Sequence, residues 1–226
     1  MARPHRNAVW AAALLVGSSA CMTQRLAGDL SRFDPMARLP EMSEHAGDGA
    51  QLQIMDLQGV RPDGQIDLTD RQVDGKAQYI FVRPSEPPRN APPVGAGGSV
   101  DGHWRRKVLI RAERRGAHVT RRGGDGTHYR RSRGLMVTSM DIEGGQVDAL
   151  SAAPQCDLSA LFQEAIRLGA PGENVVARIT WSGGDDRSEP SYVLHIPGTK
   201  VRMVFTASCE PHPGSERLQR LMESTR

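Results

Sequence analysis

Apolar residues recur at helical spacing between positions 157 and 169. Asp157 precedes the pattern and can accept hydrogen bonds from the first free amides of a helix. Gly169 follows it, where glycine favours the left-handed conformation that ends a helix. The apolar positions, which share one helical face, are Leu158, Leu161, Phe162, Ala165, Ile166 and Leu168. This pattern predicts an amphipathic helix.

A second helical pattern covers residues 34–46. Asp34 can cap it, and Pro35 lies in its first turn, where no backbone donor is missed. Pro40 interrupts the pattern six residues in, so we expect this helix to be kinked or to start later.

Strand-like runs, bounded by turn residues, follow each predicted helix three times. They cover residues 51–57, 65–69 and 77–83 after the first helix, and 175–181, 191–196 and 200–206 after the second. Residues 107–113, 117–121 and 135–142 add further strand candidates, and residues 215–224 form a short amphipathic pattern with Leu218, Leu221 and Met222.

This order predicts an α+β fold with two helix-on-three-stranded antiparallel sheet (αβββ) units, an extra β segment between them and a short C-terminal helix. The predicted divisions are a signal peptide (1–20), a tether (21–33), a first αβββ unit (34–83), a linker rich in proline and glycine (84–102), a basic β segment (103–148) and a second αβββ unit with the C-terminal helix (149–226).

The first twenty residues have the pattern of an export signal. Arg3, His5 and Arg6 form a positive region, residues 8–16 are apolar, and residues 17–20 are small. The apolar stretch is much shorter than the roughly 20 residues that a membrane-spanning helix needs. The pattern therefore predicts a removable signal and an exported chain.

Cys21 follows the small residues directly. The arrangement resembles a bacterial lipoprotein signal, in which a short run of small residues ends in a cysteine that is lipidated and becomes the new N-terminus. Ser18 departs from that family, which usually has an aliphatic residue there. The resemblance implies a lipid anchor on Cys21 and a place in the cell envelope, at the inner or outer membrane. The alternative is ordinary secretion, which the same small residues also suit.

The chain has three cysteines. Lipidation of Cys21 leaves Cys156 and Cys209 as an even pair in an oxidising compartment. The predicted second unit places Cys156 before its helix and Cys209 after its third strand, at the same end, which favours a disulfide over two buried thiols. A bond across this loop is worth about 4 kcal/mol in the chain-entropy model.

A helix laid across a three-stranded antiparallel meander resembles the small units of PepSY-like domains and of certain tandem-repeat periplasmic inhibitors. The resemblance is one of element order alone. It implies an envelope protein and carries no site residues with it.

The strongest local charge lies in the middle of the chain. Between positions 105 and 133, eleven cations face two acids, Glu113 and Asp125. The cations are Arg105, Arg106, Lys107, Arg111, Arg114, Arg115, Arg121, Arg122, Arg130, Arg131 and Arg133. They are candidates for binding anionic lipid head groups, lipopolysaccharide phosphates or an acidic polymer. The alternative is a pair of arginine-faced strands joined by a solvated hairpin. Export and the lack of an aromatic-interleaved motif disfavour nucleic acid.

The sequence contains no HExxH, GxSxG, GxxxxGK[ST] or CxxC motif, and its histidines lack ligand-like spacing. We therefore predict no cofactor and no metal site. Three hypotheses follow. The chain is a non-enzymatic envelope lipoprotein that binds a protein partner, a binder of anionic envelope components through the arginine strip, or an envelope enzyme whose site is assembled from scattered residues.

Overall fold

A computed structural model of the chain describes residues 26–86, 104–113, 119–122, 128–132, 134–143, 153–183 and 189–212. The described part is mixed α+β, with one open antiparallel sheet of nine strands and two α-helices. The helices are α1 (Leu39–Ala46) and α2 (Leu158–Arg167), and a 3-10 helix (Leu30–Arg32) precedes them. The strands are β1 (Gln51–Val60), β2 (Lys76–Ser85), β3 (Trp104–Glu113), β4 (Val119–Arg122), β5 (His128–Ser132), β6 (Leu135–Glu143), β7 (Ala177–Ser182), β8 (Ser191–His195) and β9 (Arg202–Thr206).

The sheet has the order β4-β5-β6-β3-β2-β1-β7-β8-β9. Strands β1 and β7 join the two predicted halves and run antiparallel. On one side of that pair, β2 and β3 continue the chain of β1 as a meander. On the other side, β8 and β9 do the same for β7. The remaining strands extend the sheet beyond β3. The predicted halves of the chain therefore share one continuous sheet.

The core lies on one face of the sheet, where side chains alternate inward along each strand. Four of them form a row across the middle of the sheet, in the order Tyr79, Met55, Trp181 and Tyr192, and each pairs in register with the next. All four are fully buried. The apolar stripes of both helices belong to the same hydrophobic cluster, so the helices cover this face.

The second helix forms as its sequence pattern predicts. Asp157 is its N-cap, and the carboxylate accepts a hydrogen bond from the Ser159 amide at 2.8 Å. Leu161 and Phe162 are fully buried. Gly169 adopts φ +96° just beyond the end of the helix, a conformation that disfavours other residues.

The first helix starts later than its aspartate. The Asp34 carboxylate accepts hydrogen bonds from the amides of Met36 and Ala37, which closes a turn, and α1 begins only at Leu39. Pro40 therefore lies in the first turn of the actual helix, where its missing amide costs nothing.

The strand predicted at residues 65–69 is wrong. Ile66 makes isolated bridges to Phe33 and Val60 instead of joining a ladder, and Leu68 donates its amide to the carbonyl of Leu30 at 2.8 Å. Ile66 and Leu68 are both fully buried, which explains their alternating apolar pattern without a strand. The next strand after β1 is β2, and the one after that is β3.

The predicted tether at residues 21–33 is wrong over its second half. Leu26 is 6% exposed and lies against Gly134, at the turn that begins β6. Phe33 is 1% exposed and exchanges backbone hydrogen bonds with Ile66. The folded domain therefore begins by Leu26, five positions after Cys21.

The predicted linker also starts too early, because β2 continues through Ser85. A fifth strand, β5, completes the hairpin that the arginine-rich segment was expected to form. The predicted signal peptide, most of the linker and the predicted helix at residues 215–224 lie outside the described residues.

Candidate interaction surface

The face of the sheet opposite the helices is called the open face here, because no described helix packs against it. On β2, β3 and β6 it presents the basic half, made of Lys76, Gln78, Ile80, Arg105, Lys107, Leu109, Arg111, Met136, Thr138, Met140 and Ile142. Val82 and Glu113 belong to the same face, and Val82 is buried. On β7, β8 and β9 it presents the polar half, made of Arg178, Thr180, Ser182, Ser191, Val193, His195, Arg202, Val204 and Thr206. The face assignment follows from strand alternation and from the register of the paired strands.

An aliphatic row crosses the basic half. Leu109 pairs in register with Ile80, and Ile80 pairs with Ile54 on β1. These three side chains are half-buried, although they lie on the side away from the core. Met140 of β6 pairs in register with Lys107 and is diagonal to Leu109, which pairs with Thr138. Met140 is 41% exposed and is the exposed large hydrophobic residue among the described residues. Exposed apolar groups that cluster in this way mark interaction sites more often than single ones do.

Three cations border this aliphatic row on β3. Arg105, Lys107 and Arg111 alternate along the strand and therefore lie on the same side of the sheet as Leu109. Arg111 donates a hydrogen bond from Nη2 to Oε1 of Gln78 at 3.1 Å, which fixes its guanidinium close to the sheet. The basic half thus combines apolar and cationic groups.

Arg106 does not belong to this surface. It alternates with Arg105 and Lys107 and so projects to the other side, where it forms a two-pronged ion pair with Asp141 at 2.7 and 3.1 Å. The hydrogen bond to Asp141 raises the pKa of the Arg106 guanidinium. The arginine set proposed from the sequence is therefore divided between the two faces, because strand alternation separates neighbouring residues.

The remaining predicted cations are described only in part. Arg121 and Arg122 lie in β4, and Arg130 and Arg131 lie in β5, where Arg131 pairs in register with Met136. Arg114, Arg115, Arg133 and the predicted lipid-attachment residue Cys21 lie outside the described residues.

The polar half differs in charge and chemistry. Arg178 there forms a two-pronged ion pair with Asp56 of β1, with distances of 2.9 and 2.7 Å. This hydrogen bonding raises the pKa of the Arg178 guanidinium. Thr180, Val193 and Val204 pair in register across this half and occupy the positions that match Ile54, Ile80 and Leu109. The polar half therefore differs from the basic half mainly in charge, because it carries two arginines, Arg178 and Arg202, and Arg178 is paired with Asp56.

Cys156 and Cys209, the two cysteines paired in the sequence analysis, form a disulfide with a Cα–Cα distance of 5.5 Å. Cys156 is buried directly before the N-cap of α2, and its amide donates to the hydroxyl of Tyr192 at 3.3 Å. The bond therefore ties the end of β9 to the start of α2. It lies on the helix side, away from the open face.

Two shallow cavities open on the helix side. One, of about 270 Å³, lies between α1, the start of β1 and Pro154. The other, of about 240 Å³, is bordered by Asp34, Asp63 and Asp157. Each of these carboxylates accepts a hydrogen bond from a nearby backbone amide. Within the described ranges, no group of three or more His, Cys, Asp or Glu residues is placed to hold a metal ion.

Sequence reasoning found the cations and missed the aliphatic residues beside them. Leu109 and Ile80 looked like ordinary core positions, because each lies between two apolar neighbours, whereas Met140 lies between Ser139 and Asp141. A partial signal was present over residues 107–112, where the apolar residues Val108, Ile110 and Ala112 alternate with Lys107, Leu109 and Arg111.

No helix of the described part is long and apolar enough to cross a membrane. No family model matches the chain, and neither a curated protein nor a solved structure matches it.

Proposed function

We propose that this chain is an exported, lipid-anchored protein of the cell envelope that acts as a non-enzymatic binding module, with the basic half of the open face as its binding surface. The export and anchoring part is supported by the signal pattern of residues 1–20 and by Cys21 after it. The described fold begins five positions later, at Leu26. An anchored chain of this kind holds its folded part close to the lipid.

The observation that carries the binding proposal is the composition of the basic half. Leu109 and Ile80 are half-buried in the absence of any described element above them, and Met140 is 41% exposed. Exposed apolar groups that cluster on a protein surface are a feature of interaction sites. Arg105 and Lys107 beside the row give the same surface a cationic border.

The second candidate, a binder of anionic envelope components, is favoured by the pairing of the cations. Arg106 has a carboxylate partner in Asp141, whereas Arg111 is bonded to the neutral amide of Gln78. A guanidinium held by a neutral partner keeps its charge available to an anion. Lipid head groups and the phosphates of lipopolysaccharide have the required charge.

The anchor is tested by metabolic labelling with a fatty-acid analogue. We expect label on the wild-type chain and none on Cys21→Ser. Ser18→Leu, which restores the aliphatic residue usual in lipoprotein signals, is the matched control and should keep the label. Equal labelling of wild type and Cys21→Ser would refute attachment at this residue.

We also propose that the two halves are related αβββ units, with β3 rather than residues 65–69 as the third strand of the first unit. The order α1-β1-β2-β3 matches α2-β7-β8-β9, and β1 pairs with β7 between them. Tyr79 and Tyr192 occupy matching places. The hydroxyl of Tyr79 donates to the Pro35 carbonyl, and that of Tyr192 accepts from the Cys156 amide, each near the start of a helix. Strands β4, β5 and β6 then extend only the first unit.

A further inference from the structure

The start of the folded domain limits how far the lipid can lie from it. Leu26 is packed against Gly134 at the end of the sheet where β3 stops and β6 begins. The carbonyl of Ala27 accepts a hydrogen bond from Arg38, and that of Leu30 accepts one from Leu68, so the segment is held at several points. An extended chain covers at most about 3.6 Å per residue, so five positions give Cys21 a reach of about 18 Å from Leu26.

This reach excludes one orientation of an anchored domain. Strand β3 has ten residues, and ten residues of strand span about 33 Å. If the far end of the sheet, where β3 begins, faced the lipid, Leu26 would stand beyond the reach of its anchor. The lipid must therefore lie against the near end of the sheet, against the helices or against the open face.

Charge separates these three surfaces. The helices and their N-caps carry Glu41, Glu44, Asp157 and Glu164 against Arg38 and Arg167. The near end carries the loop between β1 and β2, which has the acids Asp63, Asp67, Asp70 and Asp74 and the bases Arg61 and Arg71, and the turn between β8 and β9 adds Lys200. Among the described residues, neither surface concentrates the positive charge that attracts an anionic lipid.

The open face has the opposite balance. Its described positions carry six basic residues and two acidic ones, and Arg105, Lys107 and Arg111 are concentrated in the basic half. The half-buried aliphatic row and Met140 add apolar groups to the same surface. A surface that is both cationic and apolar suits the boundary between lipid head groups and acyl chains. Leu26 lies on the core side of the sheet. The usual spacing of packed layers places it about 10 Å from the open face, a distance that the chain from Cys21 to Leu26 can span.

We propose that the basic half of the open face lies flat on the anionic leaflet that carries the anchor. The proposal rests on the proposed function, because the reach of 18 Å has meaning only if Cys21 is acylated. The partner of the basic half is then the bilayer itself. The helix side, with both cavities and the disulfide, faces away from the membrane.

The experiment uses the full acylated chain in phosphatidylcholine vesicles with or without phosphatidylglycerol. A fluorescent side chain is placed at Met140, and a quenching spin label is carried by the lipid head groups. The matched control places the same probe at Glu44, which is exposed on α1. We expect strong quenching at position 140 that requires the anionic lipid, and weak quenching at position 44.

Charge variants test the cause of the orientation. Each basic residue at an anionic surface changes partitioning by about fivefold at low salt, so R105E/K107E/R111E should lower the ratio of docked to undocked domain by at least about 100-fold. R32E/R71E/K200E makes the same change in net charge at residues outside the open face and should keep the quenching. R105Q/K107Q, which disturbs the strand less, should give an intermediate loss if the triple variant fails to fold.

Two results would overturn the proposal. One is equal quenching at positions 140 and 44 in an acylated chain, which leaves the anchor intact and refutes the flat orientation. The other is a probe at position 140 that crosslinks to a protein in cells and is unquenched by lipid, which assigns the surface to a protein partner. Absence of acylation at Cys21 would refute the anchor and this orientation together, and the labelling experiment identifies that case.

Discussion

Two halves of the molecule have similar cores and different outer surfaces. The first consists of α1, β1, β2 and β3, and the second consists of α2, β7, β8 and β9. In both, an aspartate closes the turn into the helix and a buried tyrosine reaches the backbone near that turn. The first half has Lys76, Arg105, Lys107 and Arg111 on its open face, whereas the second has Arg178 and Arg202 there and a disulfide on its helix side. The two halves therefore share the arrangement of their cores and differ mainly in surface charge.

Removal of the disulfide should give the largest effect, confined to the second half. C156A/C209A should lower the free energy of unfolding by about 2–5 kcal/mol, because the bond closes a loop with a sequence separation of 53. Denaturant titration measures this change. Wild type treated with a thiol reductant is the control and should match the variant. Unchanged stability would show that the noncovalent packing of α2 already holds β9 in place.

Alkaline pH should act on both halves through their tyrosines. Burial raises the pKa of Tyr192 to about 12 and that of Tyr79 well above its ordinary value. Below pH 10 both states keep these protons. Above it, the unfolded chain releases protons that the folded chain retains, so stability falls by about 1.4 kcal/mol per pH unit for each tyrosine.

Denaturant titrations between pH 9 and about pH 11.5 measure this slope. Tyr192→Phe should remove the contribution of one tyrosine, and Tyr79→Phe should remove that of the other. A slope that neither variant changes would mean that other groups cause the alkaline loss.

At neutral pH, the two tyrosines should differ. The hydroxyl of Tyr79 donates to the buried Pro35 carbonyl at 2.9 Å, and Tyr79→Phe should cost about 1–2 kcal/mol because that carbonyl loses its partner. The bond from the Cys156 amide to Tyr192 is longer, at 3.3 Å, and Tyr192→Phe should cost about 0.5–1 kcal/mol. Thermal unfolding of both variants compares them directly. The reverse order would show that the second helix depends more on its tyrosine than the first.

The ion pairs should give the smallest effects. The pair of Asp141 with Arg106 joins β6 to β3, and the pair of Asp56 with Arg178 joins β1 to β7. Asp141→Asn breaks the pair with Arg106, and Asp56→Asn breaks the pair with Arg178. Each should cost about 0.5–1 kcal/mol, because the arginines are partly exposed. Added salt should shrink both differences. A loss above about 2 kcal/mol would mean that the remaining arginine is trapped without solvent.

The sequence was most informative where local chemistry decides the structure. The cap at Asp157, the apolar stripe after it and Gly169 specify α2 almost completely. It misled at residues 65–69, because Ile66 and Leu68 are buried by a folded N-terminal segment instead of by a strand partner. The burial of Ile66 depends on Phe33, and the local sequence pattern around residues 65–69 does not indicate this long-range contact.

The candidate surface was predictable only in part. The cations could be counted, yet the neighbours Arg105 and Arg106 lie on opposite sides of the sheet, and only the register with Asp141 shows which of them is paired. The aliphatic row needs three strands to be aligned, and β2 and β3 are separated by a segment rich in proline and glycine. Such a pairing across a long connection cannot be derived from spacing.

The pairing of β1 with β7, which joins the two halves, also bears on how the chain folds. It joins residues as far apart as Asp56 and Arg178, which are 122 positions apart. Contacts of such high sequence separation form slowly, because the intervening chain must be closed into a loop first. The edge of β1 that faces β7 therefore has no strand partner until nearly the whole polypeptide is available. Until then this edge exposes unpaired backbone amides and carbonyls, with which another chain can pair.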